Sequence, residues 1–156
     1  MKKKWCIFFI AILIGHRLFC NDNKIELKLN ISIPDAIEIL GEPINISTED
    51  FSYNHDFDMI CYEYETCKIF SYRVSQAISK IQLVSNKILL NIDDKKISCG
   101  ISKAEIDSLF KEGTSDGKDS YGNRYYYYAL TKLREFDVLY NESNIAVEII
   151  YGYSTP

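Results

Sequence analysis

The chain has 156 residues, 47% of them apolar, and a formal charge of −4. That apolar share excludes a disordered chain, and the length fits one domain with its own core. The acidic balance excludes the electrostatic footprint of a nucleic-acid binder.

Met1-Lys2-Lys3-Lys4 precedes an uncharged run from Trp5 to Gly15, and only then do His16 and Arg17 appear. This positive-then-apolar order is that of a secretory signal. The apolar run falls well short of the about 20 residues a membrane-spanning helix needs. Residues 1–20 are therefore expected to be a signal peptide cleaved near Cys20-Asn21, leaving 21–156 as a single domain. Cys20 is also a candidate lipidation site, because a cysteine closing an export segment can carry a lipid. Arg17, Leu18 and Phe19 are not the small residues such a site prefers, so plain cleavage is the expected outcome. Membrane attachment is expected only if Cys20 is lipidated. Residues 1–20 hold four of the 18 Lys+Arg and none of the 22 Asp+Glu, so the mature charge is −8. A basic or neutral partner suits such a surface.

Lys24 to Asn30 alternates Ile25, Leu27 and Leu29 with polar neighbours, the period of a half-buried strand. Ser32 then caps a helix of about two turns, with Pro34 and Asp35 in its first turn and Gly41 and Pro43 as its stop. Strand-like runs follow at Asp58–Glu65, Cys67–Val74 and Ile78–Val84. Turns at Ser85-Asn86 and 93–96 flank Lys87–Ile92. A second helix is marked by Gly100-Ile101-Ser102 and the capping box Ser102 to Glu105, with Ile106, Leu109 and Phe110 on one face. Three more runs come after it, Arg124–Leu130, Lys132–Tyr140 and Asn144–Tyr151. Tyr62 and Tyr64 in the first half match Tyr126 and Tyr128 in the second. The expected fold is therefore α+β: two tandem α-β-β-β units, about 24–92 and 95–153, sharing one antiparallel sheet with the short helices packed on one face.

No catalytic constellation stands out. His55 is the one histidine of the mature chain, and no nucleophile-elbow, paired-histidine or phosphate-cradling motif accompanies it. Cys61, Cys67 and Cys99 allow at most one internal bridge, and their spacings do not suit zinc. On one continuous strand Cys61 and Cys67 would be too far apart to bond, whereas a hairpin between them would permit it. Ser115 to Asn123 has the oxygen side chains of a calcium loop without its alternation or its closing glutamate, and it reads as a turn. No metal, no cofactor and no enzymatic activity are expected.

Twelve tyrosines invite a binding role. In Ile60 to Glu65 the carboxylates must reach water, which turns Ile60, Tyr62 and Tyr64 towards the helices. Tyr126 and Tyr128 then point inward as well, leaving Tyr125 and Tyr127 outward. Phe70, Tyr72 and Val74, then Phe136, Val138 and Tyr140, then Ile145, Val147 and Ile149 are read as inward, with Glu135, Asp137 and Glu148 outward. The expected contact face is Glu63, Glu65, Tyr125, Tyr127, Glu135 and Asp137. Tyrosines anchor partners with few rotors to freeze, and carboxylates select basic groups. Alternatively, the same tyrosines line a cleft for a small molecule or carbohydrate.

A capped helix ending Leu40-Gly41-Glu42-Pro43, a polar loop, a Tyr-x-Tyr strand and two more strands, repeated from Gly100-Ile101-Ser102, resembles the SmpA/OmlA and β-lactamase-inhibitor-protein-like superfamily. In the second unit Lys111-Glu112-Gly113 stands where Gly-x-Pro would be. The resemblance spans roughly Ile31 to Tyr151. It implies an extracytoplasmic bacterial protein, periplasmic, envelope-associated or secreted, that binds a protein or envelope component through its sheet without catalysis.

Overall fold

The computed structural model describes residues 24–49, 58–131 and 133–153. The expected signal segment, Cys20 and His55 lie outside these residues. Strand β1 (Ile25–Leu27) leads through a turn, with Asn30 at φ 66°, into helix α1 (Ile33–Leu40). The Ser32 hydroxyl accepts from the Asp35 amide at 3.2 Å, and Gly41 ends the helix at φ 84° with its N–H donating to the Ile37 carbonyl. A residue with a Cβ avoids that backbone conformation, so the glycine is needed there.

Four strands form an antiparallel meander after α1: β2 (Asn45–Glu49), β3 (Met59–Glu63), β4 (Cys67–Tyr72) and β5 (Ile78–Leu83). The chain then forms the hairpin β6 (Ile88–Ile92) and β7 (Lys95–Ile97). Its two connecting residues, Asp93 and Asp94, both have positive φ (50° and 66°), the geometry of a hairpin turn whose twist matches its strands. Helix α2 (Lys103–Leu109) carries the capping box in full: Ser102 and Glu105 each bond the other's backbone N–H. A second four-strand meander follows, β8 (Thr114–Lys118), β9 (Arg124–Ala129), β10 (Arg134–Tyr140) and β11 (Ala146–Tyr153).

The two meanders meet at their last strands, giving an eight-stranded sheet of order β2-β3-β4-β5-β11-β10-β9-β8. A second sheet, β1-β6-β7, pairs β1 parallel to β6. The expected α+β fold of two α-β-β-β units is therefore corrected. The described chain is 52% strand and 12% helix, with a large antiparallel sheet and a small second sheet. A four-strand meander follows each helix, and the β6–β7 hairpin lies between the two halves. The strands missed are β2, β7 and β8: the described side chains of β2 and β8 are all exposed, so neither has an apolar face to reveal it, and Lys95 and Lys96 of β7, exposed as well, fall in the stretch expected to be a turn.

One face of the large sheet is covered by both helices and the small sheet. Leu27, Ala36, Leu90, Ile97 and Ile106 join Ile69, Ile81, Leu83, Phe136 and Ile149 in a single buried cluster. Tyr62, Tyr64, Tyr126 and Tyr128 belong to or pack on this cluster, as alternation requires. Phe70 does not: it lies on the opposite face with Met59 and Cys61, and Tyr72 packs beside them. Strand β4 carries Lys68 on the outer face, two residues before Phe70, and the alternation that Lys68 sets turns Phe70 and Tyr72 outward, so their assignment inward fails. Val74 falls beyond the strand and is exposed. Val147 is exposed as well, because the register slips between Leu139 and Tyr140 and leaves Val147 without a partner across the ladder.

A polar chain runs beneath α2. The Tyr128 hydroxyl donates to Asp107 Oδ1 at 2.8 Å and lies 2.9 Å from the Tyr140 hydroxyl. Because Tyr128 spends its only proton on the carboxylate, Tyr140 must be the donor to Tyr128. Lys103 Nζ closes the chain on Asp107 Oδ2 at 2.6 Å and sits 4.4 Å from the Tyr126 ring centroid. Desolvation pushes the Asp107 carboxyl up, but hydrogen bonds from Lys103 and Tyr128 outweigh it and hold the group below its ordinary value. The Tyr128 ring stacks on Phe136 at 4.6 Å, and on its other side it lies where a Cβ on Gly113 would stand, 2.6 Å from Cζ.

Candidate functional site

The outer face of the large sheet is ruled by the strand register. One row across it runs Glu63, Lys68, Gln82, Ile150, Asp137, Tyr127. The next runs Cys61, Phe70, Lys80, Gly152, Glu135, Ala129, and on the far side of the first row Glu148 pairs with Leu139 and Leu139 with Tyr125. Tyr125, Tyr127, Glu135 and Asp137 thus lie together on β9 and β10. Glu63 is four strand spacings from Asp137, about 19 Å. Glu65 lies past the end of β3, in the turn before β4. The six expected contact residues are therefore one compact group of four and two outliers.

Glu63 is also locally engaged. Lys68 Nζ is 2.8 Å from its Oε1 and the Asn45 amide 3.5 Å from its Oε2, and these contacts hold its carboxyl below the usual range. The compact group behaves in the opposite way. Burial pushes the Asp137 carboxyl up, with help from Glu135 and Asp116 and opposition from Lys80. Tyr127 is raised by its hydrogen bond to Glu135, then by desolvation and the nearby carboxylates; Tyr125 is raised by desolvation, then by Glu148 and Asp119. Negative charge is thus concentrated where solvent is partly excluded. Glu148 accepts a 2.7 Å bond from Gln82, leaving Lys80 as the basic side chain beside this group. Lys80 lies 4.6 Å from the Phe70 ring centroid.

Gly152, between Lys80 and Glu135 in its row, has no side chain to fill the surface. The result is a hollow of about 250 Å³ lined by Lys80, Glu135, Asp137, Ile150, Gly152 and Tyr153. A Cβ on Gly152 would approach Lys80 Cβ to 3.2 Å. Alternation identified the carboxylates, but the hollow depends on a neighbour from the centre of the sheet that only the register supplies.

A second cleft, about 320 Å³, lies at the end of β10 and β11 where the small sheet overhangs them. Arg134 bonds Asp93 through both guanidinium nitrogens, at 2.7 and 3.3 Å, and donates to the Tyr151 hydroxyl at 3.3 Å. The Asn30 amide and the Tyr153 hydroxyl lie within 2.8 and 3.0 Å of each other. Nothing in the sequence pattern points to this cleft, since walls that touch, such as Asn30 and Tyr153, are 123 residues apart along the chain.

Cys61 and Cys67 lie on opposite faces of the sheet, Cys61 with Met59 and Phe70 and Cys67 in the main core. No disulfide joins the three described cysteines. Burial raises the Cys67 and Cys99 thiols to about 11, which keeps them protonated and unreactive. The stretch read as a turn from Ser115 begins as edge strand β8. Asp119 Oδ1 accepts from the Tyr121 and Asn123 amides at 2.8 and 2.9 Å, so its carboxylate is used by the turn itself.

No family model and no curated protein matches the chain. Two solved structures are similar to it. One is an extracellular protein containing a SCP domain from Bacillus anthracis str. Ames, at 8% identity and TM-score 0.48, covering 82% of this chain and 49% of that one. The other is a cysteine-rich secretory protein from Staphylococcus aureus subsp. aureus Mu50, at 11% identity and TM-score 0.48, covering 80% and 42%. The chain spans half or less of the length of either protein. The resemblance to the SmpA/OmlA and β-lactamase-inhibitor-protein-like superfamily is corrected: no family model matches the chain, and the two α-β-β-β units that carried the resemblance are not what the chain forms. A capped helix and a Tyr-x-Tyr strand are demanded by helix ends and sheet packing in many folds, so they carry no lineage. An exported chain is what Met1 to Gly15 predicts.

Proposed function

We propose that this is an exported, non-enzymatic binding protein that engages a basic or neutral protein or envelope component through the outer face of β9, β10 and β11. The observation that carries this reading is the group Tyr125, Tyr127, Glu135 and Asp137, brought together on one half-buried surface beside the Gly152 hollow. Two tyrosine rings supply rigid contact area, and Asp137, raised first by burial and then by Glu135 and Asp116, gains most from a cation that neutralises it. A lysine or arginine side chain of the partner fits that requirement. Glu63 and Glu65 lie outside the proposed contact.

The test is capture of envelope components by the immobilised protein, with the partner identified by mass and the capture repeated with purified partner. Tyr125→Ala with Tyr127→Ala, and separately Glu135→Gln with Asp137→Asn, are expected to fold and to lose the partner roughly tenfold or more in affinity. Binding of the purified partner should also weaken as salt is raised. Binding unaffected by both double variants, or lost equally in Glu63→Gln, refutes the surface.

A further inference from the structure

We infer that the cleft between the β6–β7 turn and the ends of β10 and β11 binds a neutral saccharide unit, independently of the outer sheet face. The argument starts from charge. Two cations, Lys28 and Arg134, and two anions, Asp93 and Asp94, line the cleft, so its formal charge is zero. Arg134 and Asp93 are committed to each other by two hydrogen bonds. An ionic ligand would be stripped of water without a surplus of opposite charge to receive it.

What the cleft offers instead is a mixture of donors and acceptors. The Lys28 ammonium and the Asp94 carboxylate have no hydrogen-bonded or ion-paired partner among the described residues, and both face the cleft. The Asn30 amide is engaged by the Tyr153 hydroxyl, and the Asn91 amide donates to Glu26 and accepts from the Asp94 N–H, so each adds to the walls only its remaining N–H and lone pair. A sugar hydroxyl is both donor and acceptor and matches such a set without carrying charge. The Tyr153 ring, 37% exposed, gives an apolar surface for the C–H face of a sugar ring. The cleft volume, about 320 Å³, is at the lower end for small-molecule sites and suits one or two rings.

The walls are held before any ligand arrives. The Arg134–Asp93 and Asn30–Tyr153 contacts both tie the small sheet or its adjoining turn to the end of the large one. A ligand therefore meets a fixed set of groups and loses little to ordering them.

Nitrogen-15 labelled protein titrated with glucose and with N-acetylglucosamine, and in parallel with glycine and acetate, tests the inference by NMR. Saturable shifts are expected for Asn30, Asn91 and Asp94 with a neutral sugar at millimolar concentration, and none with glycine or acetate. Tyr153→Ala and Asp94→Asn should each weaken the sugar roughly tenfold, whereas Tyr153→Phe, which keeps the ring, should retain most of the affinity. Tyr125→Ala with Tyr127→Ala should change nothing here. No saturable shift at the cleft with either sugar overturns the inference, and so does a response to glycine or acetate alone.

Discussion

Tyr128→Phe isolates the polar chain under α2, because the substitution keeps the ring that stacks on Phe136 at 4.6 Å and removes only the hydroxyl. Two effects follow. Asp107 loses a hydrogen bond to an ionised acceptor, worth about 1.5–3 kcal/mol. The Tyr140 hydroxyl, on a side chain with no exposed surface, loses its only acceptor among the described residues. A buried donor left without a partner costs about 1–3 kcal/mol, and partial relaxation makes the combined loss about 2–4 kcal/mol. Tyr140→Phe removes the donor instead and leaves the Tyr128–Asp107 bond in place, so about 1 kcal/mol is expected. Urea unfolding of the two variants and the parent measures the difference, with the Tyr128→Phe midpoint lowered by about 1–2 M. The Asp107 carboxyl is held below its ordinary value, so its stabilisation is present above the unfolded pKa and lost as pH falls through the folded one. The penalty of Tyr128→Phe should accordingly shrink below about pH 4. A loss under about 0.5 kcal/mol, or one no larger than that of Tyr140→Phe, would refute the donor order assigned to this chain.

Gly113→Ala should destabilise by about 1–3 kcal/mol, since its Cβ would stand 2.6 Å from the Tyr128 ring, which is stacked on Phe136 and cannot retreat; a melting curve matching the parent's counts against that packing. Asp137→Asn should stabilise the protein at neutral pH. The folded carboxyl is held above its unfolded range, so the stability it contributes is present below the unfolded pKa and lost as pH rises through the folded one. The amide escapes that loss, and the advantage should vanish in acid; a variant less stable than the parent at neutral pH contradicts the burial and carboxylate neighbours that raise this group.

Both helix boundaries were legible in the sequence, because a cap is local chemistry. Ser32, Gly41 and the Ser102–Glu105 box satisfy backbone groups within a few residues of themselves, and the structure has each of them in place. The inward tyrosines Tyr62, Tyr64, Tyr126 and Tyr128 were legible for a related reason: charged neighbours fix the phase of a two-residue period. The phase was lost in β4, where the outward marker Lys68 went unused, and in β11 at Val147, where the register slips. The edge strands β2 and β8 were invisible because exposed side chains carry no period. The sheet order was beyond local chemistry altogether. It joins the last strand of each meander, β5 to β11, and that pairing sets Lys80 and Gly152 beside Glu135 and sends Glu63 about 19 Å from Asp137. The sequence by itself determined the turns, caps and outward tyrosines, each a contest between neighbours a few residues apart. Only the tertiary structure decided which of them share a surface, because strand pairing and the packing of one sheet over another are settled by burial across the whole chain.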